Sequence, residues 1–174
     1  MSDITIIMLT ANKLPKGWVA FHKEKLLEAA GDSQIITMSR EPMNWGINVL
    51  QDQDYGISNI YRQLLRGAKL ATTPYIAVAE DDTLYPYEHF HSFRPPKDTF
   101  AYNQNKFGLF RWSRIPTYFW KDRIKNSTLV APRGLVIEAL EERFAKYPNG
   151  TPQGYTGEMI RNTFKRLLTI MEAL

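Results

Sequence analysis

The stretch "YIAVAEDDTLYPYEHF", residues 75–90, decides how this sequence is interpreted. Its apolar run from Tyr75 to Ala79 is typical of a buried strand, and the run ends in Glu80, Asp81 and Asp82. Carboxylates this close raise each other's proton affinity unless an opposite charge compensates them. A divalent cation supplies such a charge, and hard oxygen ligands suit Mg²⁺ or Mn²⁺. The alternative is a solvated acidic turn in which one carboxylate caps the following helix.

The residues before this stretch alternate between strand and helix patterns. Residues 4–10 and 33–39 are apolar and rich in β-branched side chains, as in strands that are covered on both faces. Residues 18–31 predict a helix that Gly31 ends, and the spacing of Ile57, Ile60, Leu64 and Ala68 predicts a second helix. The β-α-β-α-β order predicts an α/β fold with a mostly parallel sheet flanked by helices. Ligands of such sheets bind beyond the carboxyl ends of the strands, where the acidic triplet falls.

The remaining segments are less regular. Residues 40–56 predict a long loop, and residues 148–156 a flexible one. Four short segments have strand patterns, namely residues 99–103, 107–113, 117–120 and 128–132. Residues 135–147 and 157–174 predict amphipathic helices. The whole chain, residues 1–174, is expected to form one domain, with a ligand-binding half at 1–92 and a small mixed extension at 93–174.

Composition limits the chemistry that is available. The chain has 174 residues and no cysteine, so a metal can be held only by oxygen ligands or by His22, His89 and His91. The net charge of +4 predicts a mild affinity for polyanions or phosphorylated ligands. The N-terminal apolar run has no basic flank and is too short to span a bilayer. We therefore expect a cytoplasmic protein that does not insert into membranes.

The order of these segments resembles the nucleotide-sugar half of glycosyltransferases with the GT-A fold. "VAEDDTLYPYEHF" is similar to the Glu-Asp-Asp variant of their DxD motif, as in N-acetylglucosaminyltransferases that use UDP-sugars. "ITIIMLTAN" and "YGISNIYRQLLRGAKLATTPYIAVAEDD" resemble the opening strand and the helix-strand-acidic pattern of family 2 glycosyltransferases. The resemblance covers about half of the chain. It implies a metal-dependent transfer of a sugar from a nucleoside diphosphate sugar to a hydroxyl group.

The resemblance also implies roles for particular residues. Asp82 would be the metal ligand, for Mn²⁺ or Mg²⁺, and Asp81 would lie beside the sugar or ribose and take part in catalysis. Glu80 would contact the ribose or a metal-bound water. The residues after the first strand, Thr10, Ala11 and Asn12, would line the nucleoside pocket. Family 2 enzymes carry an acidic loop after the second strand, but this chain reads "MSREPMNWG" there, which leaves the base of the donor open.

Other residues complete the predicted site. Arg62 and Arg66 lie one turn apart and could clamp a phosphate, although an exposed helix face is the plainer explanation for Arg66. An inverting transfer needs a general base, and Glu158 occupies the acceptor-side position where the resemblance places one. Its alternative role is a carboxylate that the dipole of the last helix favours. His89 and His91 could serve a metal or a phosphate, or could simply pack or cap.

Aromatic and basic residues alternate in the second half of the chain. The segments "FRWSR", "FWKDRIK" and "NTFKRL" show this pattern, which is typical of proteins that hold single strands or flipped bases. Trp45, Tyr55, Trp112 and Trp120 could stack on a base or a sugar ring. The acceptor could therefore be a DNA base, as in the enzymes of some bacteriophages that glycosylate their own DNA. A saccharide or a small molecule is the alternative acceptor.

Two other functions remain compatible with the sequence. A nucleotidyltransferase with a related sheet would also use acidic metal ligands, and "TANKLPKGW" faintly resembles its basic loop. A non-catalytic nucleic-acid-binding module would explain the basic second half without the triplet. The chain is short for the fold that it resembles, so oligomerisation could complete the site.

Overall fold

The computed structural model describes residues 2–53, 55–110, 114–115, 117–121, 123–150 and 167–170. The helices in these residues are α1 (Lys16–Ala30), α2 (Ile57–Leu70), α3 (Tyr87–His91) and α4 (Arg133–Lys146). The strands in them are β1 (Ile4–Leu9), β2 (Gln34–Ser39), β3 (Ile47–Leu50), β4 (Tyr75–Glu80), β5 (Phe100–Asn103), β6 (Phe107–Phe110), β7 (Thr117–Trp120), β8 (Leu129–Pro132) and β9 (Leu167–Ile170).

Seven of the strands form one sheet in the order β3-β2-β1-β4-β8-β5-β9. Six run in the same direction, and β8 is antiparallel to its neighbours β4 and β5. The protein is thus an α/β fold with a mostly parallel sheet flanked by helices, as the sequence predicted. β6 and β7 form a separate antiparallel hairpin.

Helices cover both faces of the sheet because successive side chains of a strand point to opposite faces. Ile7 of β1 packs with Leu64 of α2 and Leu140 of α4 in one buried cluster. Ile6 joins Leu26 of α1 in the cluster on the other face. All six residues of β1 are buried, which explains its continuous apolar sequence. The central strands are therefore rigid supports for the loops at their carboxyl ends.

Residues 40–56 are not only a loop, since they contain β3. This edge strand pairs in parallel with β2, and its amide side chain at Asn48 donates to the carbonyl of Thr37 at 3.1 Å. Gly46 precedes it with φ of 64°, and a Cβ there would lie 2.2 Å from the carbonyl oxygen of Ile35. The sequence prediction missed β3 because a short, half-exposed edge strand has no apolar run, and its register depends on β2.

The predicted helix over residues 157–174 is wrong for residues 167–170, which form β9. This strand pairs in parallel with β5, from Phe100↔Leu167 to Asn103↔Ile170. A short run such as "LLTI" fits either a helix or a strand, and periodicity alone does not separate them. The unpaired edge of β5 supplies ladder hydrogen bonds that decide in favour of the strand, and local sequence carries no information about that edge.

Helix α2 approaches β1 closely at Gly67, and this contact makes a testable prediction. A Cβ at Gly67 would lie 2.7 Å from Cγ2 of the fully buried Ile7. Gly67→Ala should therefore lower the free energy of unfolding by about 1–2 kcal/mol, since overpacking exceeds the gain in helix propensity. Gly134→Ala in α4 is the matched control, because nothing lies within 4 Å of its added Cβ.

Urea unfolding of both variants measures this difference. The control should be neutral or slightly stabilised. A Gly67→Ala protein that is as stable as Gly134→Ala would show that α2 does not rest on β1 at this residue.

Candidate functional site

The acidic triplet lies at the carboxyl end of a central strand. Glu80 is the last residue of β4, where it pairs with Leu9 of β1. Its backbone N–H donates to the hydroxyl of Tyr85 at 2.9 Å, and its carbonyl accepts from the N–H of Thr83 at 3.2 Å. These two hydrogen bonds fold the chain back directly after the strand. Residues 80–82 therefore form a turn at the carboxyl end of β4.

Asp81 is fixed from two sides. The hydroxyl of Thr10 donates a short hydrogen bond to its carboxylate, and the indole N–H of Trp18 donates to its carbonyl at 2.7 Å. Thr10 directly follows β1, and β1 is the neighbour of β4 in the sheet. The structure thus brings together Thr10 and Asp81, which the sequence assigned to one pocket from positions 71 residues apart.

The carboxylates of the triplet lack a full set of compensating charges. Burial, the charge of Asp82 and that of Asp81 raise the pKa of Glu80 to about 7, against the effect of Lys125. Burial also raises the pKa of Asp81, against the hydrogen bond from Thr10. A cation beside these groups would favour their charged forms. The ionised forms of Glu80 and Asp81 are therefore disfavoured in the protein without a ligand.

Asp82 is the exposed member of the triplet. The hydroxyl of Thr83 donates to its Oδ1 at 3.0 Å. Among the described residues, no three His, Asp or Glu side chains are grouped so as to enclose a metal ion. Magnesium sites commonly take one or two protein carboxylates and complete their ligands with phosphates and water. The donors present are therefore sufficient for a metal that arrives with a phosphorylated ligand, and not for a metal cage made of protein alone.

Two lysines, which were not predicted as site residues, interact electrostatically with the triplet. The side chain of Lys125 lowers the pKa of Lys121, because adjacent ammonium groups repel, and the charge of Asp82 opposes this shift. Lys125 also acts electrostatically on Glu80. Both lysines belong to the segment between β7 and β8, which folds back onto the end of β4. Their sequence position, more than 38 residues after the triplet, gave no signal of this proximity.

A second cationic group follows β1 and β2. Lys13 Nζ lies 3.8 Å from the ring centroid of Tyr55, and the guanidinium of Arg40 lies 3.7 Å from the same centroid. The side chain of Tyr55 is nevertheless 60% exposed, so its stacking on a base stays a prediction. It holds two positive charges at the rim of the sheet.

Asn12 connects the loops that follow β1 and β2. Its φ is 56°, and its Oδ1 accepts from the N–H of Arg40 at 2.7 Å and of Glu41 at 3.2 Å. Its own N–H donates to the hydroxyl of Thr10 at 2.9 Å. The side chain of Asn12 thus fixes the two loops relative to each other, and the half-buried Ala11 lies between Thr10 and Asn12. Their nucleoside contacts stay predictions.

A chain of polar side chains supports Thr10 from α2. Gln51 Nε2 donates to the Thr10 carbonyl at 2.9 Å, Asn59 Nδ2 to Gln51 at 2.8 Å, and Gln63 Nε2 to Asn59 at 2.8 Å. Arg66 Nη1 completes the chain with a 2.9 Å hydrogen bond to Gln63. Arg66 therefore braces the site from behind. The role of clamping a phosphate has no support in this arrangement.

Arg62 lies against α4. Its Nη2 donates to the carbonyl of Pro148 at 3.1 Å, and its guanidinium lies 4.7 Å from the ring centroid of Phe144. These contacts do not join it to Thr10 and Asp81, so its predicted contact with the donor stays a prediction. Glu158 and Trp112 lie outside the described residues. The role of Glu158 as general base therefore rests on the sequence alone.

His91, His22 and Trp45 make contacts within the fold. His91 donates from Nε2 to the carbonyls of Ala29 and Ala30, both at 3.2 Å, and so caps α1. His22 donates from Nε2 to the carbonyl of Thr83 at 2.9 Å and stacks on the buried ring of Trp45. Burial lowers the pKa of His22, against its hydrogen bond with Thr83.

His89 is the most perturbed histidine. It packs on the ring of Tyr85 at a centroid distance of 5.1 Å and accepts at Nδ1 from Asn103 Nδ2 at 3.4 Å. Its Nε2 is buried and has no hydrogen-bond partner among the described residues. Burial lowers the pKa of His89 to about 4. The imidazole is neutral in the folded protein and supports the tyrosine that braces Glu80.

No protein-family model matches the sequence, and no curated protein does. Solved structures share the fold. One is a glycosyltransferase involved in glycosylation of the major capsid of PBCV-1, with a TM-score of 0.55 and 12% identity over 96% of this chain and 81% of that chain. Another is the glycosyltransferase GlyE of Streptococcus pneumoniae, with a TM-score of 0.50 and 8% identity over 88% of this chain and 41% of that chain.

The bifunctional IspDF of Campylobacter jejuni also matches, with a TM-score of 0.48 and 10% identity over 99% of this chain and 50% of that chain. The protein thus spans half or less of the length of two of these three chains. None of the four helices in the described part of the chain has the length and apolarity that a membrane span requires. At these identities the comparison concerns the fold, and this chain has a fold that occurs in glycosyltransferases.

The buried imidazole of His89 predicts a loss of stability in acid. Its pKa falls from the ordinary 6.5 to about 4 on folding, so the unfolded chain binds more protons between these values. The contribution of the neutral His89 to the free energy of unfolding is complete above pH 6.5. It decreases as the pH falls and is about 3 kcal/mol smaller at pH 4. His89→Gln cannot take up this proton. The free energy of unfolding of that variant should fall less between pH 7 and pH 4 than that of the wild type.

Urea titrations at several pH values measure how the free energy of unfolding depends on pH in the wild type and in His89→Gln. The comparison uses the change with pH, so a general destabilisation by the glutamine does not affect it. Parallel curves for the two proteins would show that His89 is protonated in the folded state.

Proposed function

We propose that this protein is a metal-dependent glycosyltransferase that moves a sugar from a nucleoside diphosphate sugar to a hydroxyl acceptor. The observation that carries the proposal is the contact of Thr10 with Asp81 at the carboxyl ends of two central strands, beside the carboxylates of Glu80 and Asp82. Such an edge is where α/β sheets bind nucleotides. A fold that occurs in glycosyltransferases supports the same class of reaction.

Positive charge on both sides of the triplet supports a diphosphate ligand. Lys13 and Arg40 contact Tyr55 after β1 and β2, and the charges of Lys121 and Lys125 act on Asp82 and Glu80. Ammonium and guanidinium groups bind phosphate oxygens by charge-assisted hydrogen bonds. A donor with two phosphates would lie between these two groups. UDP-sugars are the donors that the resemblance of residues 80–82 to the Glu-Asp-Asp motif implies.

A divalent cation beside the triplet is part of this proposal, and the pKa of Glu80, which burial and its acidic neighbours raise, supports it. Asp82 would hold Mn²⁺ or Mg²⁺ through its exposed carboxylate, with phosphate and water as the remaining ligands. When bound, the cation supplies Lewis-acid neutralisation of the leaving diphosphate.

Transfer joins the acceptor oxygen to the anomeric carbon of the sugar. The bond from that carbon to the diphosphate breaks, and its electron pair leaves with the diphosphate. The hydroxyl proton passes to a base, for which Glu158 is the candidate from sequence. Asp81, held by Thr10 and Trp18, orients the sugar or ribose, and Lys121 and Lys125 stabilise the charge that develops on the diphosphate. A cytoplasmic location and oligomerisation stay predictions.

A thermal-shift experiment with UDP and UDP-sugars tests this function. With Mn²⁺ and a ligand concentration of about 100 Kd, binding should stabilise the protein by about 2.7 kcal/mol, or several degrees in Tm. Asp82→Asn should remove most of the shift. Asp32→Asn is the matched control. Asp32 is exposed between α1 and β2, at the amino-terminal end of the strands, so this variant should keep the shift.

The outcomes distinguish the alternatives. A shift with CTP or another nucleoside triphosphate, and none with any UDP-sugar, would favour a nucleotidyltransferase. No shift with any nucleotide, with or without Mn²⁺, would exclude the proposed function. Equal shifts for Asp82→Asn and Asp32→Asn would remove Asp82 from the site.

A further inference from the structure

The backbone of residues 80–83, which we call the acidic turn, is hydrogen-bonded along its whole length. The N–H of Glu80 donates to the hydroxyl of Tyr85 at 2.9 Å, and the N–H of Thr83 donates to the carbonyl of Glu80 at 3.2 Å. The carbonyls of Asp81 and Thr83 accept hydrogen bonds from side chains of α1, at 2.7 Å and 2.9 Å. Each peptide plane of the turn takes part in one of these hydrogen bonds, so its backbone angles are restrained.

The two side chains that α1 contributes lie on one face of that helix. Trp18 and His22 are four residues apart, which places them one helical turn from each other. The indole N–H of Trp18 donates to the Asp81 carbonyl, and Nε2 of His22 donates to the Thr83 carbonyl. Helix α1 therefore holds the backbone on both sides of Asp82, the exposed member of the triplet.

Core packing fixes α1 against the strand that leads into the acidic turn. Leu26 of α1 and Ala79 of β4 belong to the same buried cluster. His22 is fully buried, and its ring stacks on that of Trp45 at a centroid distance of 5.7 Å. A ring packed in this way has little freedom to turn away from Thr83. The hydrogen bond of His22 is therefore anchored in the core.

The carboxylate of Asp82 depends on this backbone for its position. Among the described residues it accepts a hydrogen bond only from its neighbour Thr83, at 3.0 Å. The carboxylate of Asp81, in contrast, accepts from Thr10, which follows another strand. A group that is held in place before its ligand arrives loses less conformational entropy on binding. For Asp82, that holding is done by the backbone of the turn.

We propose that Trp18 and His22 are positioning residues that hold Asp82 in place for a divalent cation. They act through the carbonyls of Asp81 and Thr83. The inference deepens the proposed function and rests on it, because the cation is the one that Asp82 would hold beside the donor diphosphate. If the two hydrogen bonds served only the stability of the fold, their loss would not change how strongly Mn²⁺ promotes the binding of UDP.

Calorimetric titration of UDP, with and without Mn²⁺, tests this role. The quantity compared is the ratio of the Kd without Mn²⁺ to the Kd with Mn²⁺, since a general loosening of the fold changes both constants alike. Trp18→Phe removes the indole donor and keeps an aromatic ring, and His22→Leu removes the imidazole donor. Each should lower the ratio by about tenfold, which corresponds to the net contribution of one hydrogen bond.

Two further histidine variants serve as rescue and control. His22→Gln should keep the ratio within about twofold of the wild type, because its amide N–H can replace the Nε2–H of the imidazole. His91→Leu is the matched control. It removes the histidine hydrogen bonds to the carbonyls of Ala29 and Ala30 at the other end of α1, and it should leave the ratio unchanged.

Two more measurements show whether the effect passes through the turn. In an Asp82→Asn background, Trp18→Phe should have no further effect on the ratio, because residues that act through the same group are not additive. Without any ligand, hydrogen exchange followed by NMR should be about tenfold faster at the amides of Glu80 and Thr83 in Trp18→Phe and His22→Leu. Wild-type exchange rates at both amides would overturn the inference.

The outcomes separate this inference from the proposed function. If UDP binds and both α1 variants keep the wild-type ratio, the positioning role is wrong and the transferase stands. If no nucleotide binds to the wild type, the proposed function is excluded, and Mn²⁺ alone, titrated by electron paramagnetic resonance, decides. Trp18→Phe and His22→Leu should then raise the Kd of Mn²⁺ by about tenfold. An unchanged Kd, or no binding of Mn²⁺ to the wild type, would overturn the inference.

Discussion

The parallel pairing of β1 with β4 is the constraint on which the rest of the structure depends. Its register, from Ile4↔Tyr75 to Leu9↔Glu80, places Thr10 and Asp81 immediately beyond neighbouring strand ends. Because a slip of one residue turns every side chain to the other face of a strand, the buried clusters on both sheet faces enforce this register. The hydrogen bond between Thr10 and Asp81 is thus a consequence of core packing far from the site.

The same packing maintains an unfavourable arrangement of charges. Tyr85 and Trp18 hold the backbone of the triplet, while burial and mutual repulsion raise the proton affinity of Glu80. Lys125 opposes this rise, because its positive charge favours the ionised carboxylate. The packing of the core therefore holds Glu80 where its ionised form is disfavoured.

The second half of the chain contributes in two different ways. β8, β5 and β9 extend the main sheet and close its core, so the two halves of the sequence share one sheet. The hairpin of β6 and β7 belongs to no core cluster and keeps four apolar side chains in solvent. Burying such side chains is favourable by about 1.5–3 kcal/mol each, so this hairpin adds less to the stability of the fold than β8, β5 and β9 do.

The sequence by itself determined the alternation of buried strands and helices in the first half of the chain, and the acidic triplet at the carboxyl end of β4. These features are local, because apolar runs, helical spacing and adjacent carboxylates are visible in a short window. The tertiary structure alone decided β3 and β9, which exist because a neighbouring strand edge pairs with them. It also decided the cations of the site: Lys13 and Arg40 meet at Tyr55, and the charges of Lys121 and Lys125 act on the triplet. Each of these contacts joins loops that are distant in the chain, and only the folded sheet brings those loops together.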